Sequence, residues 1–168
     1  MNEMPIDYFK ESEKYKPQKV STLLVGEAPP PSGNFYFYLP RPLSNTIPIR
    51  SDRSLPATIF HHYFQTRPET EREYVRLLLK LKDMGVFLID ISDEPLRIRE
   101  RRGINQLNLD RLISEIPNLR SKMKSREIFI EDGKIIFLLP RLHYKRHLVD
   151  EFPESTFVRW IDFRITPE

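Results

Sequence analysis

Residues Val20 to Val25, VSTLLV, form a short leucine-rich and β-branched run with no apolar–polar alternation. A strand of that kind is covered on both faces, as between two helix layers, and is out of place in a sheet with one wet face. The fold is therefore sought among α/β arrangements. A second buried strand follows at Val86 to Ile91, VFLIDI. Two further apolar runs, EIFI and KIIFLL, flank Asp132-Gly133 between Glu127 and Leu139 and read as a hairpin. Phe157 to Ile165, with Trp160 and Phe163, reads as a final strand.

Helical patterns separate these runs. Ser54 is placed to cap a helix with Pro56 in its first turn and Ile59, Phe60, Tyr63 and Phe64 on one face. Thr66 is a candidate cap for the next, where Tyr74, Leu77, Leu78 and Leu81 recur at helical spacing up to Gly85. A helix over Leu109 to Ile116 ends at or is interrupted by Pro117, and Arg141 to Glu151 reads as a basic turn leading into a helix. Residues 1–19 read as a short helix or an extended arm, with Ile6, Tyr8 and Phe9 available to dock, and Leu39 to Arg53 as loop. The order of elements predicts one domain over 1–168, a three-layer α/β/α sandwich with a mostly parallel sheet.

Composition sets limits. Without cysteine there is no disulfide, thiolate zinc site or cysteine-held iron–sulfur cluster, which fits a cytoplasmic setting. No apolar run approaches the length of a membrane span or a signal-peptide core, so no membrane partner is expected. A net charge of +3 leaves attraction to nucleic acid to local Lys and Arg patches. Fifteen prolines against five glycines imply stiffened connections.

The stiffest connection is also the richest in chemistry. Gly26 and Glu27 end the first strand, Pro29, Pro30 and Pro31 hold the loop extended, and Phe35, Tyr36, Phe37 and Tyr38 follow. Ligands of open α/β sheets bind beyond the carboxyl ends of strands, so an acid there followed by aromatic faces is a candidate site. FYFY also suits a strand packing two rings into the core. Asp90 lies at the end of the second apolar strand, where a carboxylate needs a donor, a cation or a ligand, or caps a turn. If the two strands are neighbours, Glu27 and Asp90 face one cleft. Arg141, His143, Lys145, Arg146 and His147 follow KIIFLLP; they suit either a phosphate contact or a solvated helix face. Arg97, Arg99, Arg101 and Arg102 cluster in a charged loop, and His61 and His62, flanked by Phe60 and Tyr63, read as packing or surface residues. No HExxH, GxxxxGK[ST], GxGxxG or GxSxG pattern occurs, and neither a metal nor another cofactor is expected.

The residues GEAPP at 26–30, directly after the first strand, resemble the first motif of the uracil-DNA glycosylase superfamily, where that loop often reads GEAPG. The continuation GNFYFY is similar to a glycosylase-like branch whose loop runs as an acid, a small residue, two prolines and a Phe/Tyr cluster. VFLIDISDEPL is similar to a later strand of that branch, with its Asp followed by a proline. The resemblance implies a uracil-DNA glycosylase-like fold and hydrolysis of the N-glycosidic bond of a flipped base in nucleic acid, DNA rather than RNA, or in a nucleotide. It implies Glu27, Asp90 and His143 as catalytic residues, with Glu27 positioning or activating water. One of Phe35, Tyr36, Phe37 and Tyr38 would stack on the base, and Arg141, Lys145 and Arg146 would hold phosphate. Two departures stand out. Glycosylases of this superfamily usually place Asn where Asp90 stands, and an ionised Asp accepts hydrogen bonds without donating them. Their His-Pro-Ser loop has no match beyond the His of RLHYKRH. Two other readings remain open: an inactive nucleic-acid or nucleotide binding domain of the same fold, and a protein-interaction module using the aromatic loop.

Overall fold

The computed structural model describes residues 6–30, 35–43, 54–96, 106–139 and 144–163. Two strands, β1 (Thr22–Gly26) and β3 (Ile135–Leu139), occupy the middle of a four-stranded sheet, with β2 (Val86–Asp90) outside β1 and β4 (Thr156–Arg159) outside β3. All the pairings are parallel. Leu23, Leu24 and Val25 of β1 and Phe137, Leu138 and Leu139 of β3 are buried, as unalternating runs require. Each such side chain contributes about 1.5–3 kcal/mol relative to exposure.

From β1 the chain moves outward to β2 through α2 (Leu55–Phe64) and α3 (Glu71–Asp83). It then crosses back past β1 to β3 through α4 (Gln106–Glu115) and α5 (Leu119–Ser125), and reaches β4 through α6 (Lys145–Glu151). Right-handed crossovers in opposite directions set their helices on opposite faces, which makes the α/β arrangement compatible with three layers. The reversal also opens a crevice beyond the carboxyl ends of β1 and β3, where open α/β sheets bind ligands.

Local signals explain the helices. Ser54 caps α2 by accepting from Ala57 N–H at 3.3 Å, and Tyr74, Leu77, Leu78 and Leu81 form the buried stripe of α3. The cap of α3 is Thr70, whose hydroxyl accepts from Glu73 N–H at 3.1 Å, rather than Thr66; Thr70 with Glu73 three residues on is the stronger start signal. Gly85 follows α3 at φ +80°, and a Cβ there would stand 2.5 Å from Ser21 Oγ. The first residues fold as a helix, α1 (Tyr8–Glu13), capped by Asp7.

Two expectations about strands are corrected. EIFI does not pair: Asp132–Lys134 is a 3-10 turn, only Ile135–Leu139 enters the sheet, and Phe129 is exposed. An antiparallel hairpin would put a strand where β3 already has two parallel neighbours. The last strand is shorter than its apolar run, since Trp160–Phe163 is a helical turn, α7, that packs on α2. His62 of α2 stacks on Phe163 at 3.7 Å and its Nδ1 lies 2.8 Å from the Phe163 carbonyl. That is a packing role.

Candidate functional site

Register puts the two acids together. β1 and β2 pair with Gly26 opposite Asp90, and the ladder runs on past the strands as Ile91 N–H donates to Gly26 O at 2.9 Å and Ser92 N–H to Glu27 O at 3.0 Å. Glu27 thus leaves β1 one residue beyond the point where Asp90 ends β2. Gly26 is what lets Asp90 lie there, for a Cβ at position 26 would stand 2.6 Å from Asp90 Oδ1.

Two cations stand near the Asp90 carboxyl, and the hydrogen bonds they make go to other groups. Lys122 Nζ donates to Asp90 O at 2.6 Å, to Ile91 O at 2.8 Å and to Asp93 Oδ1 at 3.0 Å, so all three ammonium protons are used. Arg126, just past α5, gives Nη2 to Ser12 Oγ and Glu13 Oε1, both at 2.8 Å, and its guanidinium lies 4.6 Å from the Phe9 ring and 5.1 Å from that of Phe87. Burial therefore wins. It pushes Asp90 up to about 7 from an ordinary 3.8, against the pull of Lys122 and Arg126 and with the help of Asp93 and Glu27. Near neutral pH both forms are present, and the uncharged one donates as well as accepts.

Glu27 has a different neighbour. The hydroxyl of Tyr144, a fully buried residue that precedes α6, donates to Glu27 Oε2 at 2.6 Å across the crevice between β1 and β3. That length is typical of a hydroxyl donating to a charged oxygen.

The aromatic run is mostly core, as the core-packing alternative for FYFY has it. Tyr36, Phe37 and Tyr38 are 6%, 3% and 3% exposed. Phe37 and Tyr38 offer no open face to a base, and Tyr36 borders the cavity beside Asp90. Phe37 packs on Phe60 and Tyr74, and Tyr74 donates to Phe37 O at 2.6 Å. Tyr38 Oη accepts from Leu88 N–H at 2.8 Å, which satisfies an outward donor of the edge strand β2. Phe35 differs: it is 59% exposed, with the Arg41 guanidinium 5.1 Å from its ring. Of the basic cluster, Lys145 lies over Phe157 at 5.7 Å and Arg146 is exposed, while Arg141 and His143 fall outside the described residues, as do Arg97, Arg99, Arg101 and Arg102.

Sequence reasoning missed Tyr144, Lys122 and Arg126. Tyr144 sits inside the basic run RLHYKRH and is its only tyrosine, a signal available but hidden by its charged neighbours. Lys122 and Arg126 lie four apart on an ordinary amphipathic segment, and nothing local marks them.

A cavity of about 740 Å³ opens at the Asp90 side, between α1, the end of β2 and α5. Asp90, Tyr36, Tyr8, Phe9, Lys122 and Arg126 contribute to its wall. Among the described residues no three His, Asp or Glu side chains are grouped to hold a metal ion, and no helix is long and apolar enough to cross a membrane. No family model, curated protein or solved structure matches this chain.

Proposed function

We propose that this chain is a uracil-DNA glycosylase-like N-glycosidase acting on a base turned out of DNA. The observation that carries the reading is the pair of carboxyl groups on adjacent parallel strand ends, one of them, Asp90, able to be uncharged near neutral pH. The GEAPP loop supports the same reading, since Glu27 is the acid after its Gly26.

Each group has a task in such a reaction. Glu27, steadied by Tyr144, orients a water toward the anomeric carbon, which gains positive charge as its bond to the base nitrogen breaks. The water oxygen forms the new bond to that carbon and loses its proton toward Glu27. The bonding pair leaves with the base. Uncharged Asp90 donates to a base carbonyl and accepts from the adjacent N–H, as an Asn amide does, so the Asp in place of Asn remains compatible with base reading. Phe35 is the ring in this run with an open face for stacking.

The test is base release from single-stranded and duplex DNA carrying uracil, hypoxanthine, xanthine or alkylated bases, comparing wild type with Glu27→Gln. Release by the wild type that falls at least about 100-fold in the variant is expected. Release untouched by Glu27→Gln would remove Glu27 from the chemistry. Salt-dependent binding with no release would leave a binding domain of this fold, and neither binding nor release would turn the search to protein partners.

A further inference from the structure

Lys122 is the side chain by which α5 reaches the carboxyl end of β2. It is 16% exposed, and its Nζ lies 2.6 Å from Asp90 O, 2.8 Å from Ile91 O and 3.0 Å from Asp93 Oδ1. The ion pair does not account for this arrangement, because the Asp93 side chain is 79% exposed and a pair so wet contributes about 0–1 kcal/mol. The carbonyls do. Successive carbonyls of an extended strand point to opposite sides, so two of them meet one donor only where the chain has turned. β2 ends at Asp90, and the turn that follows is held to the β1 side by Ile91 N–H to Gly26 O and Ser92 N–H to Glu27 O. Among the described residues, Lys122 is the one side chain that donates to either the Asp90 or the Ile91 carbonyl. Backbone carbonyls converging on one positive charge are how proteins hold a dehydrated potassium ion, and here the charge arrives on a tether.

We propose that Lys122 is a positioning residue: its ammonium is the resident cation of the turn from Asp90 to Asp93, and by drawing the Asp90 and Ile91 carbonyls together it fixes where the Asp90 carboxyl stands beside Glu27. Asp90 then meets the same ammonium in two ways. Its carbonyl takes a proton, and its carboxyl feels the charge, the strongest attraction set against burial. The other charged and titratable groups facing that carboxyl are Glu27 from the β1 loop, Asp93 and Glu94 after β2, Arg126 past α5, Tyr36 from the aromatic run and Asp7 at the start of α1. Asp93 and Glu27 favour its proton, and Arg126 opposes it more weakly than Lys122 does. Losing the ammonium therefore loosens the turn and makes the carboxyl harder to ionise.

The test compares the full-length wild type with Lys122→Ala in three measurements, of which only base release rests on the glycosidase reading. Carbon-13 NMR of the Asp90 carboxyl should show it titrating at a higher pH in the variant, because removing an attracting cation disfavours the charged form. Base release should fall on the order of thirtyfold, the scale of a small misplacement of a reacting group. Propylammonium, which supplies the missing head group, should raise the melting temperature of Lys122→Ala and recover about fivefold of its release or more. Tetramethylammonium at equal ionic strength should do neither, since it has the charge and no N–H to give. Asp93→Asn keeps both carbonyl bonds and should slow release by less than about threefold. Should Lys122→Ala unfold, Lys122→Met, of similar length but without charge or donor, carries the titration and the release. An unchanged Asp90 titration, an equal response to the two ammonium ions, or a loss in Asp93→Asn as large as that in Lys122→Ala overturns the proposal. Failure of the glycosidase reading is distinguishable: a wild type that releases no base removes the hydrolysis and leaves titration and stability rescue to decide Lys122, whereas Glu27-dependent release indifferent to Lys122→Ala overturns the positioning alone.

Discussion

Glu27 and Asp90 end neighbouring strands one residue apart in register, yet their surroundings differ in kind. Glu27 accepts a short hydrogen bond from Tyr144, a residue brought from beyond β3. Asp90 has two cations close by, but one holds backbone carbonyls and Asp93 and the other holds α1. Burial then outweighs attraction, and its carboxyl keeps its proton to about pH 7. A nearby cation does not by itself keep a buried carboxyl charged, because the cost of burial can outweigh its attraction. Two like groups side by side can thus divide the roles of acceptor and donor, as paired carboxyls in different environments do elsewhere.

The largest expected effect comes from removing the charge at Asp90. Its folded value is raised above the ordinary 3.8, so the folded state holds the proton more tightly than the unfolded chain. Stability from this group is fully present below about pH 4, declines through the window up to about pH 7, and is level above it. Asp90→Asn should abolish that decline and make the protein more stable near pH 8 by about 3 kcal/mol, read by urea unfolding across pH. An unaltered pH profile would mean that Asp90 is charged throughout.

Gly26→Ala sharpens the comparison from the other strand. With a Cβ 2.6 Å from Asp90 Oδ1, it should cost about 2 kcal/mol, and most of that cost should vanish in an Asp90→Ala background, a coupling that a double-mutant cycle measures. Equal costs in both backgrounds would place the strain in the backbone.

Two tyrosine hydroxyls form a matched pair of smaller tests. Tyr38→Phe leaves the Leu88 N–H of an edge strand without its acceptor; about 1.5 kcal/mol of stability should go, with faster exchange at that amide and no change in base release. Tyr144→Phe should cost about 1 kcal/mol but slow base release about tenfold, because what it frees is Glu27. If the two variants slow release alike, Tyr144 is a structural residue only.

Much of the fold could be read along the chain. Unalternating runs at Val20–Val25, Val86–Ile91 and within KIIFLL identified strands that need cover on both faces, and the stripe Tyr74, Leu77, Leu78, Leu81 identified α3. EIFI failed because strand pairing is a competition for neighbours: β3 spends both its edges on β1 and β4. The aromatic run was harder. Its composition fits a binding surface as well as a core, and only the position of Tyr38 beside the open edge of β2 decides for the core.

By itself the sequence determined the class of fold and the place of Glu27 and Asp90 at strand ends, because periodicity and chain breaks are local properties of the backbone, whereas the need for Gly26 comes from Asp90 on the neighbouring strand. Tertiary structure alone decided which cations reach Asp90 and what they hold, that Tyr144 reaches Glu27 across a separation of 117 residues, and which of four adjacent aromatic rings stays open. Those are matters of burial and of hydrogen bonds between distant segments, and they come into being only when the sheet order brings the segments together.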